Sequence, residues 1–343
     1  MKLIIHHWDQ NAHAIVRFGK HKIVGIFDER GELNGVDSGK FLNIPPNGIE
    51  ITNDFESLLN KGADTVVTTG EGLFFKHPEK AEMWRQNIIK AINSGLNIYT
   101  MSKALYGEKT KDIQEMAKSK GVTFTEASDP NAYEKYREFA ELAVKEPVKV
   151  PVVCFCGTSM NSGKITAMMS FKNILEKAGK KVGVVGTEPC SFFLDVEQVV
   201  PEVIPTMRGA HTILGAVKKV EKEQKPGIIF VGGQTGLRAS VTDVLEARAG
   251  AVVAWQILLG CKPNKIVLCS KWKTAGKEIK PHLELIKNSV LRAQVTSIVI
   301  NGYQAGPDKL SETISAIEKE TGIKTFDVLA NPEKAKEAAL SLL

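Results

Sequence analysis

The sequence contains little cysteine and no long apolar run. Its 343 residues include five cysteines, an odd number, and most of them lie in apolar segments typical of strands. A disulfide framework is therefore not expected, and a reducing compartment fits this composition. No apolar run reaches the roughly 18 residues of a membrane-spanning helix, and the first residues turn polar too early for a secretory signal peptide. These absences predict a cytoplasmic protein that does not enter a membrane.

An excess of charge of one sign is also lacking. The chain has 45 Lys and Arg against 39 Asp and Glu, a net charge of +6, and 7% of its residues are aromatic. A nucleic-acid-binding protein would show a clustered basic stripe or interleaved aromatic side chains, and the sequence has neither. The mild positive excess suits anionic metabolites. We therefore expect a small-molecule substrate and no nucleic acid.

The first part of the chain lacks the Gly-x-Gly-x-x-Gly fingerprint of dinucleotide-binding domains. Over roughly the first 145 residues, short β-branched runs nevertheless alternate with helical patterns, which predicts a parallel sheet covered by helices. The expected strands are 13–18, 22–27, 64–68, 96–100 and 122–124. The expected helices are 53–61, 79–94 and 109–119. This half of the sequence predicts a Rossmann-like domain without a bound dinucleotide.

A charged helical segment, 134–148, leads into two closely spaced prolines, and we place the domain boundary there. The predicted domains are 1–148 and 149–343. In the second domain the expected strands are 152–156, 182–186, 227–231, 265–270, 296–300 and 324–327. The helices between and after them are expected at 163–178, 211–224, 243–258, 279–293, 308–321 and 331–342. The predicted fold class is α/β, with two doubly wound parallel-sheet domains: a Rossmann-like N-terminal domain and a P-loop NTPase-like C-terminal domain.

The loop after strand 152–156 carries the clearest chemical signal. A buried strand leads into a glycine-bounded turn, and the backbone N–H groups at the start of the next helix, with a lysine, can bind phosphate oxygens. The spacing differs from the commonest P-loop, because five residues separate the two glycines and an isoleucine follows the lysine where Mg²⁺-binding Ser or Thr is usual. The expected phosphate-binding residues are Gly157, Thr158, Asn161, Ser162, Gly163, Lys164, Ile165 and Thr166.

The usual metal-binding carboxylate of this fold is missing as well. An NTPase normally ends the strand corresponding to 227–231 with Asp or Glu, whereas this chain has two glycines there. Mg²⁺ stays an open possibility, with Glu188, Asp195 or Asp243 as substitute ligands. If no metal binds, a phosphate-bearing acyl-CoA becomes a better candidate for the cofactor than a hydrolysed ATP.

Polar residues follow several other strands, on the side of the sheet where ligands bind. In the second domain, Gly233, Gln234 and Arg238 are expected to contact the substrate, and Asn301 the cofactor. In the first domain, Thr69 and Glu71 follow a strand and are also expected to contact the substrate. Glu188 and His211 are the candidate catalytic acid or base. A turn, a helix cap or a surface position remains the alternative for each of these residues.

Three segments together carry a resemblance. They are residues 84–96, the phosphate loop 157–166, and the run Leu-Leu-Gly-Cys-Lys-Pro at 258–263. Over nearly its whole length the chain resembles the D-glutamate N-acetyltransferase-like family, long known only as a domain of unknown function. That family's loop usually reads Gly-Thr-Asp and then Gly-Lys-x-Thr, and its later strand usually ends in Glu-Gly-Gln. Here Ser159 stands in place of the aspartate and Gly232 in place of the glutamate.

The resemblance implies a small-molecule enzyme that transfers an acyl group from acyl-CoA to a small amino acid. The phosphate loop also resembles that of dethiobiotin synthetase and the cobyric acid synthases, which implies an alternative, ATP-dependent activation of a small carboxylate by a ligase or kinase. A non-catalytic nucleotide sensor is the third hypothesis, favoured by the missing metal acids. A homo-oligomer is left open by an alanine-rich face on helix 331–342.

Overall fold

The computed structural model describes residues 1–69, 78–101, 107–238, 245–291 and 293–343. The chain forms two compact units. The first contains residues Met1–Asp129 and Pro189–Asp195, and the second contains Pro130–Glu188 and Val196–Leu343. The predicted boundary region, 134–148, therefore lies within the second unit, which begins at Pro130.

The first unit is built on a parallel sheet of six strands. The strands are β1 (Lys2–His6), β2 (Lys22–Phe27), β3 (Ile51–Thr52), β4 (Thr65–Thr68), β5 (Asn97–Thr100) and β6 (Phe124–Glu126). The helices are α1 (Gln10–Phe18), α2 (Ser38–Phe41), α3 (Phe55–Leu59), α4 (Pro78–Asn93) and α5 (Gly107–Ser119). The strand order is β3-β2-β1-β4-β5-β6, the order of a classic Rossmann sheet, with every pair parallel.

The prediction of a strand at 13–18 was wrong, because this segment lies in helix α1. The side chain of Asp9 caps that helix by accepting hydrogen bonds from the backbone N–H groups of Asn11 and Ala12. Ala12 and Ile15, one helical turn apart, are buried on its inner face. The first strand is instead Lys2–His6, a central strand whose last four residues are all buried.

The second unit is built on seven parallel strands. They are β7 (Val152–Gly157), β8 (Val182–Gly186), β9 (Glu197–Gln198), β10 (Ile228–Gly232), β11 (Lys265–Lys271), β12 (Gln294–Asn301) and β13 (Thr325–Phe326). The helices are α6 (Ala132–Lys145), α7 (Lys164–Lys177), α8 (Thr206–Gln224), α9 (Leu245–Cys261), α10 (Ala275–Lys287), α11 (Pro307–Thr321) and α12 (Pro332–Leu340). The strand order is β13-β12-β11-β7-β10-β8-β9. The predicted α/β fold class is confirmed for both units.

Strand β7 lies at the centre of the second sheet, and all six of its residues are buried. Its neighbours β10 and β11 are buried almost as completely, so near-continuous apolar runs replace the alternation seen in half-exposed sheets. Helices α7 and α12 pack against each other through small residues of α12, including the buried Ala335 and Ala339. The alanine face of α12 is thus covered within its own unit.

Candidate functional site

The site begins where the central strands of the second sheet end. Because all seven strands are parallel, the loops after β7, β8, β10, β11 and β12 leave from the same edge. Ligands of open α/β sheets bind outside this edge. The loop between β7 and α7, residues 158–163, occupies its middle.

This loop is held in an unusual backbone conformation. Gly163 precedes α7 with φ 89°, a left-handed conformation that glycine adopts without strain. Asn161 is also left-handed, with φ 59°. At Gly157 the chain passes so close to its neighbours that an added Cβ would lie 2.6 Å from the Ser162 Oγ and 2.6 Å from the carbonyl oxygen of Thr235. The two glycines of the predicted phosphate loop are therefore required by its geometry.

Lys164 is the first residue of α7, and only 6% of its surface is exposed. Burial lowers the pKa of its ammonium group, while the nearby charge of Glu188 raises it and that of Lys271 lowers it further. Its Nζ donates to the carbonyl oxygen of Ser159 at 3.3 Å. A cation that is this strongly desolvated and has one long hydrogen bond would interact strongly with an anion.

Ser162 carries a buried polar atom with no partner. The residue is fully buried, and its Oγ makes no hydrogen bond in the described part of the chain. A buried hydroxyl without a hydrogen bond is costly, and such groups in native structures call for an explanation. Together with Lys164 and the free N–H groups at the start of α7, it forms a set of donors suited to phosphate oxygens.

A side chain from β12 holds the loop in place. The Asn301 Nδ2 donates to the carbonyl oxygen of Asn161 at 3.0 Å, and the Asn301 Oδ1 accepts from the N–H of Tyr303. A Cβ at Gly163 would lie 3.1 Å from that of Asn301. Asn301, predicted to contact the cofactor, therefore lies at the loop, which its amide nitrogen bonds, while its amide oxygen bonds the backbone at Tyr303.

Three other predicted ligand residues also make internal contacts. Thr158 donates its backbone N–H to Cys269 and pairs its Oγ1 with the Ser270 Oγ at 2.9 Å. The Gln234 Nε2 donates to the carbonyl oxygen of Thr187, which joins the loops after β8 and β10. At Gly233 an added Cβ would lie 2.7 Å from the carbonyl oxygen of Phe155. Thr158 therefore ties the phosphate loop to β11, whereas Gln234 and Gly233 contact the neighbouring loop after β8 and strand β7.

The remaining loop residues, Ile165 and Thr166, lie in the first turn of α7, and both are partly exposed. In the common P-loop the Mg²⁺-binding hydroxyl directly follows the lysine. Here Thr166 carries that hydroxyl and lies two positions beyond Lys164, one residue later. Strand β10 ends on Gly232. Neither position supplies the pair of ligands that usually holds Mg²⁺.

The candidate acids and bases are spread more widely. Glu188 follows β8, is partly exposed, and is near enough to Lys164 for its charge to act on it. His211 lies exposed in the second turn of α8. Arg238 is exposed and forms an ion pair with Glu278 at 3.7 Å. Of these three predicted residues, the structure connects only Glu188 to the phosphate loop.

The substitute metal ligands separate in the same way. Asp195 belongs to the first unit and forms an ion pair with Lys20 at 2.7 Å. Asp243 lies outside the described residues. Glu188 is therefore the candidate metal ligand that the structure leaves at the phosphate loop.

Of the two substrate residues predicted in the first unit, Thr69 is among the described residues. Thr69 is buried, and its Oγ1 donates to the carbonyl oxygen of His7 at 2.7 Å. Glu71 lies outside the described residues. Sequence analysis missed a neighbouring polar group, in which His7 Nδ1 and Glu29 Oε2 are 2.7 Å apart. Both residues follow closely after a strand, which could have indicated the site from sequence. Strand β1, however, was not predicted.

Comparisons with known proteins agree with this architecture. Residues 31–130 match a family model described as a Rossmann-like domain of unknown function (DUF1611_N), and residues 140–335 match a P-loop domain of unknown function (DUF1611_C). No protein with curated function matches the sequence. In the described part of the chain, no helix combines the length and apolar character needed to cross a membrane.

One solved structure matches the chain over both domains. A DUF1611 family protein from Anabaena variabilis has 14% sequence identity and a TM-score of 0.74, over 99% of each chain. Cobyrinic acid a,c-diamide synthase from Mycobacterium smegmatis, solved with an ATP analogue and magnesium, has 9% identity and a TM-score of 0.37, over 56% of this chain and 92% of that one. None of the matching family descriptions names an activity, so acyl transfer stays a prediction. The chain belongs to the DUF1611 family, with a Rossmann-like N-terminal domain and a P-loop C-terminal domain.

Proposed function

We propose that the second domain binds the phosphate groups of acyl-CoA in the loop 157–166, and that the protein transfers the acyl group to a small amino acid. The observation that carries phosphate binding is the donor set of the loop. The buried Lys164, the unbonded hydroxyl of Ser162 and the N–H groups at the start of α7 all belong to the short segment 162–166. Phosphate oxygens would supply each of them with an acceptor.

The choice of acyl-CoA over a hydrolysed nucleotide is supported by the missing metal ligands. Gly232 ends β10, and Ile165 follows Lys164, so the two usual Mg²⁺ contacts of an NTPase are lost. The phosphates of coenzyme A serve only for binding and do not react. A lysine and backbone N–H groups are sufficient to bind them. In the transfer step the amine of the acceptor attacks the thioester carbonyl. The C–N bond forms, the C–S bond breaks, and the thiol leaves with the amine proton.

A second candidate is ATP-dependent activation of a small carboxylate. The observation that favours it is Glu188, whose carboxylate acts electrostatically on Lys164 at the loop. A carboxylate there, with the hydroxyl of Thr166, would offer two oxygen ligands of the kind that Mg²⁺ prefers. This candidate requires that nucleotide binding depend on Mg²⁺.

Thermal stabilisation separates the two candidates. A ligand at 100 times its dissociation constant stabilises the folded state by about 2.7 kcal/mol, which raises the melting temperature of a domain of this size by roughly 5–10 °C. We expect acetyl-CoA to give such a shift with or without Mg²⁺, followed by release of free thiol when an amino acid is added. A shift seen only with ATP and Mg²⁺ would contradict acyl transfer and support the ligase.

Two substitutions locate the binding site, with a third as control. Lys164→Ala removes the cation, and Ser162→Ala removes the unbonded hydroxyl. Both should lose most of the ligand-induced shift. Ser162→Ala should leave the melting temperature of the ligand-free protein unchanged or raise it, because a buried polar group without a partner is removed. Lys177→Ala changes an exposed lysine at the other end of α7 and should keep the full shift.

A further inference from the structure

The first unit has a second candidate site at the point where its strand order reverses. Successive strands are added on one side of β1 as far as β3, and from β4 to β6 they are added on its other side. Strands β1 and β4 are therefore neighbours at the switch point. In open α/β sheets the crevice outside the carboxyl ends of two such strands is where ligands bind. Here those ends carry His7 after β1 and Thr68 and Thr69 at the end of β4.

A dinucleotide does not fit this crevice. In a dinucleotide-binding domain the pyrophosphate lies at the N-terminus of the helix after β1, on a glycine-rich turn. In this chain the Asp9 carboxylate occupies that N-terminus, where it accepts from the N–H groups of Asn11 and Ala12 at 2.8 and 3.0 Å. Asp9 is partly buried, and this burial raises the pKa of its carboxyl group. The two N–H groups that would bind a phosphate there are already bonded by Asp9.

Glu29, which follows β2, has one oxygen in use and one without a hydrogen bond. Its Oε2 bonds the His7 Nδ1 at 2.7 Å. Its Oε1 is buried and has no hydrogen-bond partner in the described residues, although Lys80 Nζ on α4 is 3.5 Å away. Burial alone would raise the pKa of Glu29, but its hydrogen bond to His7 and the charges of His7 and Lys80 lower it to about 2. Glu29 is therefore ionised at neutral pH.

Unbonded polar atoms occur at all three neighbouring strand ends. Besides the Glu29 Oε1 after β2, the Trp8 Nε1 after β1 and the Thr68 Oγ1 at the end of β4 are buried and have no hydrogen bond among the described residues. Trp8 is 2% exposed, and Thr68 is fully buried. The Glu29 side chain is 10% exposed, whereas that of Lys80 is 28% exposed, which leaves an approach from solvent. Buried polar atoms without partners are rare in native proteins, and here they concentrate at the switch.

A metal ion fits this group less well than an organic ligand. The His7, Asp28 and Glu29 side chains lie within 4.8 Å of one another. Arg30, however, bonds both oxygens of Asp28, through its Nε at 2.9 Å and through one Nη at 2.5 Å. Lys80 adds a second positive charge beside Glu29. Two carboxylates that already face two cations offer little to a further cation.

We propose that the carboxyl ends of β1, β2 and β4 bind a small α-amino acid, whose ammonium group donates to the Glu29 Oε1 and whose carboxylate accepts from Lys80. The Glu29 Oε1 accepts no hydrogen bond and lies 3.5 Å from the Nζ of Lys80, which donates none among the described residues. A zwitterion of this size satisfies both, and it adds no net charge to the crevice. This inference rests on the proposed function, for which the amino acid is the acyl acceptor.

Calorimetric titration of the full chain tests the site directly, without an acyl donor. The probes are glycine and the D and L forms of alanine, aspartate, glutamate and lysine, each at up to about 10 mM, which detects dissociation constants in the millimolar range. At least one should give a saturable heat. Its analogues lacking either the amine or the carboxylate should bind at least tenfold more weakly. Absence of a saturable heat from every probe would overturn the inference.

Substitutions at one ion pair, with a matched pair as control, complete the test. Glu29→Gln and Lys80→Met should each weaken binding of the best probe by about tenfold or more, because a charge-assisted hydrogen bond is lost. Glu56→Gln and Lys90→Met change an exposed ion pair between α3 and α4 and should leave the affinity unchanged. Equal affinity in Glu29→Gln, with its fold retained by circular dichroism, would contradict the site.

The phosphate-loop variant keeps the two proposals apart. Lys164→Ala should lose binding of acetyl-CoA but retain the affinity for the amino acid. Amino-acid binding without any acyl transfer would leave this site in place and overturn the proposed function. Acyl transfer that survives Glu29→Gln with an unchanged KM for the amino acid would support the proposed function and overturn this site.

Discussion

Buried ionisable side chains distinguish the two units at the level of single residues. Lys164 in the second unit and His6 in the first are both nearly or fully buried, and burial lowers the pKa of each. Lys164 has the carbonyl oxygen of Ser159 and the charge of Glu188 beside it, whereas His6 lies in a packed environment. Its Nε2 is 3.0 Å from the Asn87 Nδ2, and its ring contacts those of Phe27 and Phe55. His6 is therefore a structural histidine that must stay neutral.

His6 makes the first unit sensitive to acid. Burial, followed by the charge of His7, lowers the pKa of His6 from 6.5 to about 3. Because the folded-state pKa is depressed, this contribution to stability is complete above pH 6.5 and is lost as the pH falls toward 3. Between pH 7 and pH 5 we expect the free energy of unfolding of the first unit to fall by about 2 kcal/mol from this residue.

Urea titrations followed by hydrogen exchange, resolved by segment, measure this loss in residues of the first unit. His6→Gln removes one of two such rings, because burial also lowers the pKa of His13, to about 4. The substitution should therefore remove roughly half of the dependence of the unfolding free energy on pH in that range. His211→Gln changes an exposed histidine and should leave the dependence as it is. A dependence that persists unchanged in His6→Gln would show that other groups cause it.

Secondary structure elements could be predicted where their pattern was long and unambiguous. The strands around β7, β10 and β11 are buried apolar runs bounded by glycine or proline, and the predicted ranges agree with the structure to within a few residues. The error at 13–18 arose because a β-branched run, Ile15 and Val16, outweighed the helix cap at Asp9. Strands β3 and β9 have two residues each, too few to produce a period.

The candidate site was predictable for a different reason. A left-handed Gly163 followed by Lys164 is encoded locally, so the phosphate loop could be recognised from its own residues. The roles of Asn301 and Gln234 could not, because each depends on a partner far along the chain, Asn161 for one and Thr187 for the other. Sequence position suggested that both face a ligand, and only the fold shows that Asn301 bonds the phosphate loop and that Gln234 bonds the loop after β8.

Helices α6 and α8 of the second unit pack closely against each other. At Gly215 of α8 an added Cβ would lie 2.3 Å from the carbonyl oxygen of Tyr136 in α6, so glycine allows the two backbones to meet. Gly215→Ala should therefore destabilise the second unit by about 1–3 kcal/mol, since overpacking exceeds the gain in helix propensity. Chemical unfolding of the second unit measures this change.

Gly276→Ala is the matched control for this prediction. Gly276 also lies in a helix, α10, but nothing stands within 4 Å of its added Cβ. The same substitution should there be neutral or stabilise by up to about 1 kcal/mol. Equal effects at the two positions would mean that backbone contact between α6 and α8 does not determine their packing.

At the scale of the whole molecule, the start of the second unit depends on whether α6 belongs to it. The sequence places α6 before the boundary at 148, and the matching P-loop family model starts at residue 140, in the middle of the helix. In the structure, Tyr136 is fully buried in the core of the second unit. Its hydroxyl donates to Glu197, a largely buried carboxylate that also pairs with Lys135 and Lys219. The helix is thus an integral part of that unit.

Two fragments test this assignment. The fragment 130–343 retains α6, whereas 150–343 removes it, exposes the apolar face of α8 and leaves Glu197 with Lys219 alone of its three side-chain partners. Burying one large apolar side chain contributes about 1.5–3 kcal/mol, so the shorter fragment should melt at least roughly 5 °C lower and show lower soluble yield. Both fragments contain residues 189–195, which pack in the first unit, so any harm from exposing that segment is common to the two. Equal melting temperatures, with equal stabilisation by acetyl-CoA, would instead place α6 outside the folding unit and restore the boundary near residue 148.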